Sequence, residues 1–220
     1  MSAEIRELAE VWGPPTCVEP VPADRFDAFR GVVPDLLLEY WREYGFAGFG
    51  DGLFWLCDPA AWQPAVDAWT RNLDLPFGDD WIAVTRTAFG TLDLWGRRTG
   101  MSLSISPHSG WVIHRDRSER MTSPFERDSQ IYAALMSGGP ESADLTGDDE
   151  EPLFVRLRDA LGPVGPDAMY GFFPARALGG ALSPDHAEIV DAEVHLELLA
   201  DLTPRRVMDT DDLAALLLGR

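Results

Sequence analysis

From Trp81 to His114 the chain reads WIAVTRTAFGTLDLWGRRTGMSLSISPHSGWVIH, and within it Ile82-Ala83-Val84, Leu92-Asp93-Leu94-Trp95, Leu103-Ser104-Ile105 and Trp111-Val112-Ile113 are short apolar or alternating runs separated by Gly, Asp and Pro clusters. Alternation places successive side chains on opposite faces of an extended backbone, and closely spaced turn residues fold each run back on the one before. The stretch predicts an antiparallel meander of about four short strands.

Helical signals lie on both sides of this meander. Upstream, Asp24, Phe26 and Phe29 suggest a short helix over 24–30 that stops at Gly31. Pro34 then opens a helix in which Leu37, Tyr40 or Trp41, and Tyr44 recur on one face, with Gly45 as a left-handed C-terminal cap. The turn-rich segment 48–52 leads into Leu53-Phe54-Trp55-Leu56-Cys57, an apolar run of strand length. Pro59 and Pro64 predict a turn and then a helix over 64–71 burying Val66 and Trp69, because proline fits only a first helical turn. One continuous helix through Pro64 is not expected.

Downstream, Ser123-Pro124-Phe125-Glu126 joins an N-cap serine, a proline at the first helical position and a glutamate three residues past the cap. A helix over 124–136 burying Phe125, Tyr132 and Leu135 follows from it. Residues 141–151 carry Glu141, Asp144, Asp148, Asp149, Glu150 and Glu151 with little apolar mass, which predicts a solvated linker and a seam between domains at 1–140 and 151–220. Beyond it, Leu153, Leu157, Ala160 and Leu161 make a helical face stopped by Gly162-Pro163. Tyr170-Gly171-Phe172-Phe173 is strand-like, with Tyr170 and Phe172 on one face and Phe173 on the other. Val194, Leu198 and Leu202 mark the apolar face of a helix near 191–202, and a last helix from Thr210 is expected to bury Leu213, Leu216 and Leu217. The fold class is α+β: helices around short, mostly antiparallel sheets, with a smaller helix-and-strand C-terminal half.

Composition bounds the function. A chain of 220 residues with 45 % hydrophobic content can bury a real core. Asp and Glu number 37 against 18 basic residues, all Arg, giving a formal charge of -19, which repels DNA, RNA and anionic lipid. Direct nucleic-acid or membrane binding is therefore not expected, and a basic protein partner is. The excess is greater after residue 120, with 19 acids against 7 bases, than before it, with 18 against 11. The candidate partner-binding residues are accordingly Asp144, Asp148, Asp149, Glu150 and Glu151, together with Asp209, Asp211 and Asp212. The N-terminus shows no charged-then-apolar leader and no run reaches about 18 apolar residues, so a cytoplasmic location is expected. Cys17 and Cys57 read as buried thiols rather than a disulfide.

Chemistry is thinly represented. His114-Arg115-Asp116 lacks the asparagine, glycine-rich loop and lysine that a kinase needs. Asp185, His186, Glu188 and Asp191 read as a solvated helix start rather than metal ligands, and His195 as a packed helical residue. Ser104, Ser106 and Ser109 lie near His108, but no Gly-x-Ser-x-Gly elbow accompanies them. No catalytic residue and no cofactor are assigned.

The stretch Leu37 to Trp55 (LLEYWREYGFAGFGDGLFW), with Thr87-Ala88-Phe89-Gly90-Thr91-Leu92-Asp93-Leu94-Trp95-Gly96, resembles the GAD-like domain. Tyr170 to Leu202 resembles the domain that follows it in immunity proteins of type VI secretion DNase effectors. The resemblance implies a mixed α/β, cytoplasmic, non-enzymatic protein that binds a nuclease toxin carried by the same or a sister cell. Two positions depart from the family pattern: Ala168 stands where an acid precedes the tyrosine, and Asp201 where a glutamine is usual. The residues alone leave three classes open: toxin-binding immunity protein, regulatory or scaffold domain for another basic protein, and hydrolase.

Overall fold

Ile82 and Val84 face one side of the strand Trp81–Thr87 and Trp81 and Ala83 the other, and all four are buried. A sheet with apolar residues on both faces must be covered on both faces. The computed structural model, which describes residues 3–217, shows that arrangement.

Among these residues, eight strands form one sheet in the order β1 (Thr16–Glu19), β2 (Phe46–Phe49), β3 (Phe54–Leu56), β4 (Trp81–Thr87), β5 (Leu92–Gly96), β6 (Gly100–Ser106), β7 (Trp111–His114) and β10 (Arg206–Met208). Every neighbouring pair is antiparallel except the last, where β10 runs parallel to β7 with Val207 opposite Val112. The expected meander is β4 to β7. The strand β2 was not foreseen, because Gly45, Gly48 and Gly50 disguise Phe46–Phe49 as loop. A separate antiparallel pair joins β8 (Ala168–Phe172) to β9 (Ala187–Asp191).

One face of the sheet packs on α1 (Ala3–Trp12), α3 (Asp35–Tyr44) and α5 (Pro124–Met136). Most of its aromatic polar groups are satisfied, the buried Trp41 indole N–H being the exception: Trp12 stacks on Phe54 at 4.2 Å and donates to the Leu135 carbonyl at 2.7 Å, and the Tyr40 and Tyr44 hydroxyls donate to the carbonyls of Glu4 and Ile5. Gly45 ends α3 at φ +68°, a conformation costly for other residues. Ser123 caps α5, its Oγ accepting from the Glu126 amide at 3.2 Å. Leu135 is buried as expected and Tyr132 is half-buried, but Phe125 is 79 % exposed, and Gln130 and Ile131 complete the inner face of α5.

The other face packs on α4 (Pro59–Thr70) and α8 (Ala192–Leu202). The helix α4 runs unbroken through Pro64, against expectation. Only the bond to the Ala60 carbonyl is lost, and Pro64 and Ala60 are both exposed, so water can serve that carbonyl. Capping by Asp58 and burial of Trp62, Ala65, Val66 and Trp69 offset the loss. The short helix α2 (Ala23–Phe29) appears as expected, and α7 (Phe154–Leu161) buries Phe154 and Leu157 but leaves Ala160 and Leu161 exposed. In α9 (Thr210–Leu217), Leu213 and Leu216 are half-buried, and the Leu217 side chain lies outside the described residues. Cys57 is buried, while Cys17 is exposed on the edge strand β1, and both thiols are free.

Arg86 fastens the C-terminal half to the sheet. It is 1 % exposed, and its guanidinium lies 4.9 Å from the ring centroids of both Trp55 and Trp62. It donates to the carbonyls of Gly165 at 2.9 Å and Pro166 at 2.6 Å, just before β8. Burial lowers its pKa to about 10, so it stays charged at neutral pH. Nearby, the Tyr170 amide donates to the Ala88 carbonyl at 2.9 Å, Trp69 Nε1 to the Leu196 carbonyl at 2.9 Å, and Arg205 to the last carbonyls of α4. Replacing Arg86 with Ala empties the slot between two indoles and orphans two carbonyls, and is expected to cost about 3–5 kcal/mol in urea unfolding. Arg86→Lys, which cannot fork to both carbonyls while stacking on both rings, should cost about 2 kcal/mol. Losses below about 1 kcal/mol for both variants would contradict this role.

Candidate partner-binding surface

The segment 141–151 is a clamped turn rather than a solvated linker. Gly139–Ala143 forms the short helix α6, Thr146 bridges to Pro152, and the Gly147 amide donates to the Glu151 carbonyl at 2.9 Å. Local polar groups order the segment despite its lack of apolar mass. Asp144 Oδ1 accepts from the amides of Leu153 and Phe154 and so caps α7. Asp148 accepts from Arg176 at 2.6 Å and from the Leu182 amide at 3.1 Å. Asp149 pairs with Arg156 at 2.7 Å, which holds its carboxyl below the usual range. Glu150 and Glu151 are exposed and enter no ion pair among the described residues.

The second acidic group opens α9. Asp209 Oδ1 accepts from the amides of Asp211 at 2.9 Å and Asp212 at 2.8 Å, and the latter two acids lie exposed in the first turn, where the helix dipole favours them. Among the described residues, no hydrogen bond or ion pair joins this group to the 144–151 turn. The acids therefore form two separate outcrops, and several of them also hold local structure.

An apolar feature stands elsewhere, where the sequence reading expected core. In α8 the buried side chains are Ala192, His195, Leu196, Leu199 and Ala200, while Val194, Leu198 and Leu202 face solvent. The helix carries two apolar faces, and periodicity alone cannot say which one turns inward. Contact with α4 decides it: the Trp69 indole reaches the Leu196 carbonyl, and the small side chains of Ala192 and Ala200 leave room for that approach. On β8, Tyr170 and Phe172 are buried while Phe173, just beyond the strand, is 40 % exposed. A Cβ at Gly171 would lie 2.9 Å from His195 Nε2, so glycine there allows α8 to close on the strand.

The histidines are placed for packing. His108 is buried edge-on to Phe172 at 5.2 Å, and its Nε2 has no partner. Burial lowers its pKa to about 4, helped by neighbouring His195 and opposed by a hydrogen bond to the Phe89 backbone. His195 is likewise pushed down by burial. His114 lies edge-on to Phe77, and His186 shares a hydrogen bond with Ser183 in a turn before β9 rather than at a helix start. Ser109 Oγ bonds to the Ser106 carbonyl, not to His108. A cleft of about 850 Å³ lies beside His108, lined by Phe89, Trp111, Leu145 and Thr203 among others. Among the described residues, no three His, Cys, Asp or Glu side chains gather as metal ligands, and no helix is long and apolar enough to cross a membrane.

With this geometry in hand, comparison with known proteins locates the chain. Residues 4–109 match the GAD-like domain, and residues 134–203 match the C-terminal domain of the type VI secretion system immunity protein Tdi1. The two matches follow one another along the chain, and the second supports a type VI secretion immunity role. Its fold is also that of the crystal structure of Atu4351 from Agrobacterium tumefaciens, with a TM-score of 0.82 and 21 % identity over 96 % of this chain and 93 % of that one. No curated protein matches.

The buried histidine gives a stability test. Unfolded, His108 titrates near its ordinary value of 6.5; folded, it titrates near 4. As pH falls between these values the unfolded chain takes up the proton first, so the full stability present above about 6.5 declines towards about 4, by an amount on the order of 3 kcal/mol. Urea midpoints across this range should fall more steeply for the native chain than for His108→Gln. Superimposable profiles would show that His108 is not titrating as a buried neutral group.

Proposed function

We propose that this chain is a cytoplasmic immunity protein that neutralises a cognate nuclease toxin delivered by type VI secretion, by forming a stoichiometric complex with it. The observation that carries the reading is the match of residues 134–203 to the Tdi1 immunity C-terminal domain, behind a GAD-like domain. On this reading the chain acts by occupation, covering either the toxin's active site or its DNA groove, with no enzymatic step and no cofactor. The regions 1–140 and 151–220 are proposed as its two functional units, the first a scaffold and the second the bearer of the immunity domain.

Charge supports the reading. A nuclease grips phosphates with Arg and Lys, and a chain of net charge -19 presents the opposite potential. Such complementarity raises association rates by about 10 to 1000 fold. Glu150, Glu151, Asp211 and Asp212, exposed and in no ion pair among the described residues, are the acids best placed to steer. Asp144, Asp148, Asp149 and Asp209 add to the field while holding their turns. The same field disfavours direct contact with nucleic acid.

Protection assays and kinetics test this. Cells expressing the adjacent nuclease gene should survive when this chain is co-expressed, and survival should persist with His114→Ala or His186→Ala. The association rate of the purified pair should fall by about tenfold or more between about 20 and 150 mM salt, with little change in dissociation. Unprotected cells would contradict the immunity role, and a salt-independent rate would remove the acids from recognition.

A further inference from the structure

We propose that the exposed face of α8 receives the toxin, as an apolar seam flanked by carboxylates docking into a groove with a basic rim. This rests on the immunity reading above and assigns the surface that carries it out. Val194, Leu198 and Leu202 recur every fourth residue and are 67 %, 46 % and 37 % exposed. At helical rise they form a seam about 12 Å long. Phe173 stands beside it, its ring 5.5 Å from that of His195. Scattered exposed apolar residues need no explanation, but a row along one helix with an adjacent aromatic is the pattern of an interaction site.

The acids beside the seam identify the occupant. Glu193, Glu197 and Asp201 precede the three apolar residues by one position each and so form a second row alongside, with Glu197 and Asp201 exposed. No Arg or Lys occurs from residue 177 to 204, whereas Asp185, Glu188, Asp191, Glu193, Glu197 and Asp201 all fall within that span. A second copy of the chain docked seam to seam would press two uncompensated acidic rows together, which disfavours self-association. DNA and anionic lipid meet the same repulsion. A protein with apolar groups inside a basic rim meets none, and a toxin that binds phosphates carries such a rim.

The face is also preorganised. On its inner side α8 is anchored by Trp69 Nε1 on the Leu196 carbonyl, and at its start by Asp191 accepting from the Val194 amide at 2.9 Å. A partner therefore meets a helix already fixed against the sheet and loses little to ordering it.

The test uses the full chain and a catalytically inactivated form of the nuclease encoded beside it, with Val194→Asp and Leu198→Asp compared with the native protein by titration. Both side chains are solvent-exposed, so thermal midpoints near native will certify folding, and either variant alone suffices if the other is unstable. The expected result is tight binding by the native chain and a loss of about 30-fold or more in each folded variant, the size of a hot-spot residue. Native binding with both variants within about threefold would overturn the α8 surface and leave the immunity reading standing. No binding by the native chain would overturn both. A native dimer that dissociates in the variants would identify the seam as a self-association surface and also overturn the proposal.

Discussion

A guanidinium buried between two indoles is the constraint on which the arrangement of this molecule depends. Arg86 sits in a strand buried at six of its seven residues, with no carboxylate in ion-pair contact among the described residues, and burial alone depresses its pKa. A charge in such a place is tolerable only if its donors are met and its faces are covered. Trp55 from β3 and Trp62 from α4 cover it, and the carbonyls of Gly165 and Pro166 meet it. Three of these four groups come from outside its own hairpin neighbours, so satisfying one side chain fixes α4 and the approach to β8. From there β8 and α8 settle against the β4–β5 turn, and β10 adds itself to the edge of the sheet.

This coupling relates the two domain matches to function. The residues that match the GAD-like domain span β1 to β6, and those that match the Tdi1-type domain supply Leu157, Tyr170 and Phe172 to the core on one face and Met169, Leu196 and Leu199 to the core on the other, with α8 packed on α4. The inner face of α8 contributes to the core. Its outer face keeps Val194, Leu198 and Leu202 in water, where the proposed partner would cover them. Acid at the helix caps and turns gives the same half a field that reaches beyond contact distance, while the apolar row acts only at contact. On the proposed function, range and grip thus fall to different residues.

Much of the fold was legible because local and global signals agree. The meander, the capping box at Ser123 and the end of α3 at Gly45 are readable from spacing and residue type. The errors share a cause. Local rules misplace Pro64, Phe125, Val194 and Leu198 because tertiary packing decides each: α4 keeps its proline because its buried side chains outweigh one lost bond, and α8 turns inward the face on which Trp69 reaches the Leu196 carbonyl. The acidic turn reads as linker because it lacks apolar mass, whereas Asp144, Asp148 and Asp149 order it through backbone amides and arginines. Arg86 left one signal, a lone Arg in the run Trp81 to Thr87 with no neighbouring acid, but nothing local names Gly165 and Pro166 as its acceptors.

The central claim is that the two halves fold as one cooperative body, so that α8 is held as a rigid docking face. Native-state hydrogen exchange in low denaturant measures this directly, by comparing the slowest amides of β4 with those of α8 and β8. The account predicts a common opening free energy and a common dependence on denaturant. Exchange of α8 and β8 through a separate, lower-energy opening while β4 stays protected would show that the C-terminal half is only loosely attached, and would contradict it.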